Sequence, residues 1–313
     1  MHADSDPGSG ERQRGPLLDR ADIQALERLS VESLDALVAG LVGQREGPGQ
    51  AAGFEFADYR RYTPGDDVRR IDWNIYARLR ELHIRTAPQE ASLALSVLLD
   101  ASRSMDSGEP SKLRFGRRLA ALLAAVALLR NDAVEIHTLS DGDSVSSGSF
   151  DSGAGELGAM VEELERLPSG RTTDLDMSIR RSRTSGWEPE AAVLISDGLV
   201  AADGLAAAVA ALAGSARTAT FVHVGDPAET AAAWEEGSTV LVDSETGRRI
   251  EATITPAVRA RYATSYARLS AQLEQQCRAR GVRYVKADAS IDPLEFLLAA
   301  AREETLVRVA PSS

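Results

Sequence analysis

Ser92–Met105 reads SLALSVLLDASRSM, and the interpretation of this stretch decides the fold. Leu93 to Leu99 is a nearly continuous apolar run dominated by leucine. A strand covered on one face alternates apolar and polar residues, whereas a strand covered on both faces reads as an apolar run. The run therefore predicts a central strand of a mostly parallel sheet. It leads into Asp100, Ser102 and Ser104, spaced Asp-x-Ser-x-Ser, ahead of a helical stretch. One carboxylate and two hydroxyls are hard oxygen donors, suited to a divalent cation such as Mg²⁺. Open α/β sheets place ligands beyond the carboxyl ends of their strands, where these three residues fall. The same residues would equally serve an ordinary strand–turn–helix as capping groups.

Working outward, Ser111–Arg130 predicts a helix capped by Ser111, with Leu113, Leu119, Leu122, Leu123, Val126 and Leu129 as its apolar stripe. Ala133–Leu139 is the next strand, followed by a polar turn and a short edge-like strand over Asp141–Ser149. His137 reads as a packed or edge histidine, since the surrounding sequence carries no ligand pattern for it. Ala154–Leu167 and Leu175–Arg183 read as helices, separated by Pro168-Ser-Gly-Arg-Thr-Thr-Asp174. Ala191–Ile195 is a second buried strand and ends in Ser196-Asp197-Gly198. Helix Gly204–Leu212, strand Thr218–Val224, a hairpin around Asp243-Ser-Glu-Thr-Gly247, helix Pro256–Arg280, strand Val282–Lys286 and helix Asp292–Glu303 complete the pattern. Such alternation implies a doubly wound α/β fold with helices on both faces of the sheet. The expected organisation is a polar tail over 1–19, a leading segment over 20–90 packed on the main domain, an α/β domain over 91–305, and a tail over 306–313.

The 313 residues carry a net charge of −12, which argues against a general affinity for nucleic acid or anionic membrane. A single cysteine, Cys277, excludes an internal disulfide framework and any multi-cysteine metal site. The apolar runs fall well short of the ~20 residues needed to span a bilayer. The first twenty residues lack the apolar centre of a secretory signal, so a cytoplasmic protein is expected. Within the leading segment, helices are expected over Ala21–Leu29 and Val31–Val42. Phe54–Arg85 interleaves arginines and aspartates with Phe54, Phe56, Tyr59, Tyr62, Trp73 and Tyr76. Arg69, Arg70, Asp72 and Trp73 are candidates for a partner-docking surface. An ion-pair clamp, built from Arg69, Arg70 and Arg78 with Asp66, Asp67 and Asp72, is the structural alternative.

Three polar strand or loop endings stand apart in the chain: Asp100-x-Ser102-x-Ser104, Thr172-Thr173-Asp174 and Asp197-Gly198. They share one crevice if the strand at 93–99 neighbours the strand at 191–195. The set resembles the metal-ion-dependent adhesion site (MIDAS) of von Willebrand factor A domains, in which Asp-x-Ser-x-Ser is followed by a loop threonine and then by an aspartate. The resemblance implies a von Willebrand factor A or Rossmann-like sheet. It further implies Mg²⁺, or another divalent cation, held by Ser102, Ser104 and Thr173, with Asp100 and Asp197 acting through water and hydrogen bonds. The metal would then bind an acidic residue of another protein rather than catalyse a reaction. The string EF-x-x-x-R-x-Y-x-x-GDD-x-R-x-IDW, from Glu55 to Trp73, resembles the domain-of-unknown-function 58 family. That likeness implies an adaptor or assembly factor working with a MoxR-type AAA+ ATPase and a client protein. The competing reading is a metal-dependent phosphohydrolase using Asp100. It is disfavoured because Ser102 stands where an Asp-x-Asp phosphatase carries its second acid.

Overall fold

The computed structural model describes residues 16–27, 59–61, 83–85, 94–108, 111–140, 143–150, 154–166, 174–183, 189–200, 202–230, 234–243 and 248–300. The chain divides into two compact units, one made of Met1–Gln44 with Leu93–Ser313, the other of Arg45–Ser92. The elements in chain order are α1 Arg20–Glu27, β1 Tyr59–Arg61, β2 His83–Arg85, β3 Ala94–Asp100, α2 Lys112–Leu129, β4 Ala133–Ser140 and β5 Asp143–Phe150. They continue with α3 Leu157–Arg166, α4 Leu175–Ser182, β6 Ala191–Ser196, α5 Ala202–Ala213, β7 Thr218–Gly225, α6 Pro227–Thr230, β8 Gly237–Val242, β9 Arg249–Ile254, α7 Pro256–Ala279 and β10 Arg283–Asp288. A last helical stretch covers 293–300. The helix expected over Val31–Val42 lies outside the described residues. In the smaller unit, β1 and β2 pair antiparallel, with Arg60 opposite Ile84.

The larger unit is built on a six-stranded sheet in the order β10-β7-β6-β3-β4-β5. Every neighbouring pair is parallel except β4 and β5, which pair antiparallel at one edge. The chain first builds outward from β3 through β4 to β5. It then returns to the other side of β3 with β6 and builds away through β7 and β10. The reversal makes the gap between β3 and β6 the switch point of the sheet, and the C-terminal ends of those two strands open onto it.

The doubled cover accounts for the apolar run in β3. Leu95, Val97 and Leu99 join one core with α1, α2 and α3, while Leu98 joins a second core with α4, α5 and α7. Successive strand side chains point to opposite faces, so a strand between two helical layers must be apolar at nearly every position. Helix α2 lies close against β3. A Cβ added to Gly116 would come within 2.9 Å of Leu99 Cδ1, which explains a glycine in the middle of a helix despite its poor propensity.

Cys277 is a buried free thiol on α7 and belongs to the second core. His137, on β4, is buried, and its Nε2 lies 3.2 Å from Glu135 Oε2. Burial holds its pKa below the usual imidazole value, with Glu135 opposing the shift. The acidic neighbour two residues away is a feature that the sequence reading of His137 did not anticipate.

The segment before the sheet is fastened by charge as well as by Leu17, Leu18 and Leu26, which enter the first core. Asp19 and Asp22 cap α1 reciprocally, each side chain accepting from the other's backbone N–H at 2.7 and 3.0 Å. Arg118 on α2 then reaches Asp22 at 3.0 Å and Asp292 at 3.2 Å, linking the start of the chain to the last helical stretch. Arg118 and Asp22 are both buried, so removing one leaves the other's charge uncompensated. Arg118→Met is expected to lower the free energy of urea unfolding by about 3–5 kcal/mol. Adding Asp22→Asn to that variant should recover part of the loss.

Candidate functional site

Asp100 is the last residue of β3, and the chain turns immediately after it. The Ser102 amide donates to Asp100 Oδ1 at 3.0 Å, a local turn that aspartate favours. Met105 N then bonds Ser102 O at 3.1 Å, Asp106 N bonds Arg103 O at 3.1 Å, and Leu113 N returns to Met105 O. Folded back in this way, the loop brings Ser102 Oγ and Ser104 Oγ to 3.0 Å from each other. On the neighbouring strand, β6 ends at Ser196, whose hydroxyl donates to Asp100 Oδ2 at 2.6 Å and accepts from Gly198 N at 3.0 Å. The chain continues into Asp197, whose Oδ1 accepts from Leu199 N at 3.1 Å. Gly198 adopts φ +65°, a conformation that favours glycine, and a Cβ there would approach Leu273 Cδ2 to 3.1 Å. Asp100, Ser102, Ser104 and Asp197 thus meet at the switch point, and none is more than 6% exposed.

Thr172 and Thr173 lie outside the described residues, as do Arg69, Arg70, Asp72 and Trp73. Asp174 is the N-cap of α4 and accepts from Met177 N at 3.1 Å.

Three participants escaped the sequence reading. Ser196 links the two strand ends. Lys112, the first residue of α2, donates its ammonium to Asp197 Oδ2 at 2.8 Å and to Glu229 Oε1 at 2.8 Å. Glu229 comes from the short helix α6 that follows β7. A hydroxyl at the end of the apolar run AAVLIS was the one visible signal for Ser196. For Lys112 the signal was a lysine in the first turn of a helix, where the helix dipole disfavours a cation.

The electrostatics follow from burial. Asp100 is pushed up to about 6, first by loss of water and then by the charge of Asp197; the hydrogen bonds from Ser196 and Ser102 pull the other way. His223, on β7, is driven down to about 4 by burial, with Lys286 and Lys112 adding to the effect and Asp197 opposing it. Its Nδ1 lies 2.6 Å from Tyr284 Oη, and Tyr266 stacks on the ring.

Among the described residues no three His, Cys, Asp or Glu side chains are arranged to hold a metal. The oxygen donors gathered here are the hydroxyls of Ser102 and Ser104 and the carboxylates of Asp100 and Asp197. The two hydroxyls are hydrogen-bonded to each other at 3.0 Å, a separation also close to the roughly 2.9 Å between adjacent ligands of an octahedral Mg²⁺. Two buried carboxylates beside the hydroxyl pair supply the negative potential that a divalent cation would relieve.

The doubly wound, mostly parallel sheet defines the fold class of the protein. Residues 58–272 match the family described as "Protein of unknown function DUF58", and the chain belongs to that family. It is 28% identical over 266 residues to the Uncharacterized protein Rv1480 of Mycobacterium tuberculosis (strain ATCC 25618 / H37Rv), covering 83% of this chain and 82% of that one. The Uncharacterized protein Mb1516 of Mycobacterium bovis is similar to the same extent. Among solved structures, it is similar to the conserved hypothetical protein BatB from Bacteroides thetaiotaomicron, with a TM-score of 0.42 at 18% identity over 69% of this chain and 100% of that one. A von Willebrand factor type A protein from Catenulispora acidiphila gives a TM-score of 0.40 at 14% identity, over 68% and 42% of the two chains. No helix among the described residues is long and apolar enough to cross a membrane.

The neutral burial of His223 makes its contribution to stability pH-dependent. Its folded value of about 4 lies below the usual 6.5, so the unfolded chain takes up the proton first as pH falls. Stability is therefore complete above pH 6.5 and drains away toward pH 4, by about 3 kcal/mol in total. Asp100 works in the opposite direction over the same range, so the wild-type curve alone hides the effect. The unfolding free energy of His223→Gln, relative to wild type, should rise by about 3 kcal/mol between pH 7 and pH 4.

Proposed function

We propose that this protein is a non-enzymatic protein-binding module whose contact is completed by a divalent cation, Mg²⁺ by the chemistry of its donors. The single observation that carries this reading is the pair of buried hydroxyls, Ser102 Oγ and Ser104 Oγ, 3.0 Å apart beside Asp100. Ser102 and Ser104 would hold the cation, with Thr173 as a third hydroxyl. Asp100 and Asp197 would orient those ligands and bound water through hydrogen bonds. The cation supplies a Lewis-acidic centre that attracts a carboxylate. Ligands that are mostly neutral leave it short of negative charge, and an acidic residue of a client protein makes up the difference. Leu199, two residues past Asp197, is 40% exposed and offers apolar contact beside the polar centre.

The resemblance to the DUF58 family supports a MoxR-type AAA+ ATPase as the second partner, with the module as adaptor in assembly. The docking surface for that partner would include Arg69, Arg70, Asp72 and Trp73. Against a phosphohydrolase stands the condition of Asp100, which is buried with both oxygens accepting hydrogen bonds. A carboxylate held in that way is a poor nucleophile.

The test is a titration of the purified chain with Mn²⁺ or Mg²⁺, together with capture of the ATPase in Mg²⁺ and in chelator. Combining Ser102→Ala with Ser104→Ala should leave the circular dichroism spectrum unchanged and weaken cation binding by about 100-fold or more. The Mg²⁺-dependent part of capture should vanish. Equal capture by wild type and the double variant, or in chelator, would sink the cation-gated contact. Hydrolysis of a phosphate ester that is lost in Asp100→Asn would replace the reading with the enzymatic one.

A further inference from the structure

Lysine is the wrong residue, by local rules, for the position that Lys112 occupies. Ser111 is the N-cap of α2, its Oγ accepting from Arg114 N at 3.1 Å, so Lys112 begins the helix. The first turn carries the positive end of the helix dipole, where carboxylates are favoured and cations are not. The side chain is also 0% exposed, and it is among the largest of those wholly buried in the described structure. Dipole and burial both oppose an ammonium here. It stays charged, and its pKa is raised overall: burial lowers it, and Asp197 and Glu229 more than offset that. Positions where tertiary partners override local preference are those at which functional or strained sites are expected.

Its partners show what it does. Lys112 Nζ lies 2.8 Å from Asp197 Oδ2, on the side of that carboxylate left free by the Leu199 amide. The same ammonium meets both oxygens of Glu229, at 2.8 and 3.1 Å. Ser107 closes the arrangement, donating to Ser104 O at 2.6 Å and lying 3.4 Å from Glu229 Oε1. The ammonium is thus joined to Asp197 directly and, through Glu229 and Ser107, to the loop that carries Ser104. Glu229 is the outward member of the triad, with its side chain 22% exposed.

We propose that Lys112 is a built-in counter-cation of the candidate metal site: a positioning residue that compensates the buried Asp197 carboxylate and sets how weakly the site holds a divalent ion, with Glu229 tuning that effect. This rests on the cation-binding reading of the site. A monovalent charge fixed on Asp197 repels a divalent ion brought beside the same carboxylate. The site then holds its ion loosely until a further carboxylate arrives, and ion retention becomes conditional on the partner. Glu229 opposes Lys112: it neutralises part of the ammonium charge and so favours the ion.

The test uses the full chain, with Mn²⁺ affinity from calorimetry and thermal unfolding with and without Mg²⁺. Lys112→Met should unfold at a lower temperature in chelator, because Asp197 is left buried without a counter-charge. It should nevertheless bind Mn²⁺ about tenfold more tightly than wild type, and Mg²⁺ should raise its midpoint by more than it raises that of wild type. Lys112→Arg, which keeps the charge, should restore the wild-type affinity. Glu229→Gln should weaken Mn²⁺ binding about threefold or more. A purely structural lysine would lower the midpoint without tightening the ion, and that result would overturn the proposal. So would Glu229→Gln with unchanged affinity, a measurement that stands even if Lys112→Met fails to fold. If wild type binds Mn²⁺ and the variants match it, the counter-cation alone falls. If wild type and every variant bind no Mn²⁺, the cation site itself falls, and this inference with it.

Discussion

The contact on which the rest depends is the 2.6 Å hydrogen bond from Ser196 Oγ to Asp100 Oδ2, made between the ends of two strands that are 96 residues apart in the chain. It exists because the sheet reverses its direction of growth between β3 and β6, so that the ends of both strands face one crevice. At a switch point the two following connections leave on opposite sides of the sheet, and neither covers the gap between them. Polar groups can therefore gather there without displacing core side chains. Apolar cores pack above and below β3, and Gly116 lets α2 approach Leu99 and Ile195 closely.

A crevice so enclosed has to manage its charges. Asp100 and Asp197 are both almost free of contact with water, a costly arrangement for carboxylates unless they are hydrogen-bonded and compensated. Ser196, Ser102 and the backbone amide of Leu199 provide hydrogen bonds, and Lys112 provides charge. Burial first, and then the charge of Asp197, nevertheless hold the Asp100 carboxyl above its usual value. The buried pair of Lys112 and Asp197 stands at the centre of this charge balance.

Much of the architecture was legible in the chain. Turn and cap residues placed most element boundaries within one or two positions: Ser111 before α2, Pro256 at the start of α7, Gly281 after it. The hairpin of β8 and β9, which pair antiparallel, was legible from its turn residues. The placement of Asp100, Ser102, Ser104 and Asp197 at strand ends could also be read, because strand termini follow from where an apolar run stops. The partners of Lys112, Glu229 and Ser196 could not, since each lies far away in the chain, although the hydroxyl that ends AAVLIS and the lysine in a first helical turn were visible as local oddities. The same holds for Arg118 joining Asp22 to Asp292.

The sequence by itself determined the local periodicities, and with them the alternation of strand and helix, the double burial of β3 and the oxygen donors at its end. These are properties of short windows, where side-chain spacing alone selects the backbone conformation. Only the tertiary structure decided which strand lies beside which, and therefore which charges share the crevice. Strand order depends on how the crossovers pack over the whole sheet, and the interaction between two charges depends on their separation in space and on the water excluded between them. Lys112 and Asp197 stand 85 residues apart in the chain and 2.8 Å apart in the fold, because burial and topology brought them together.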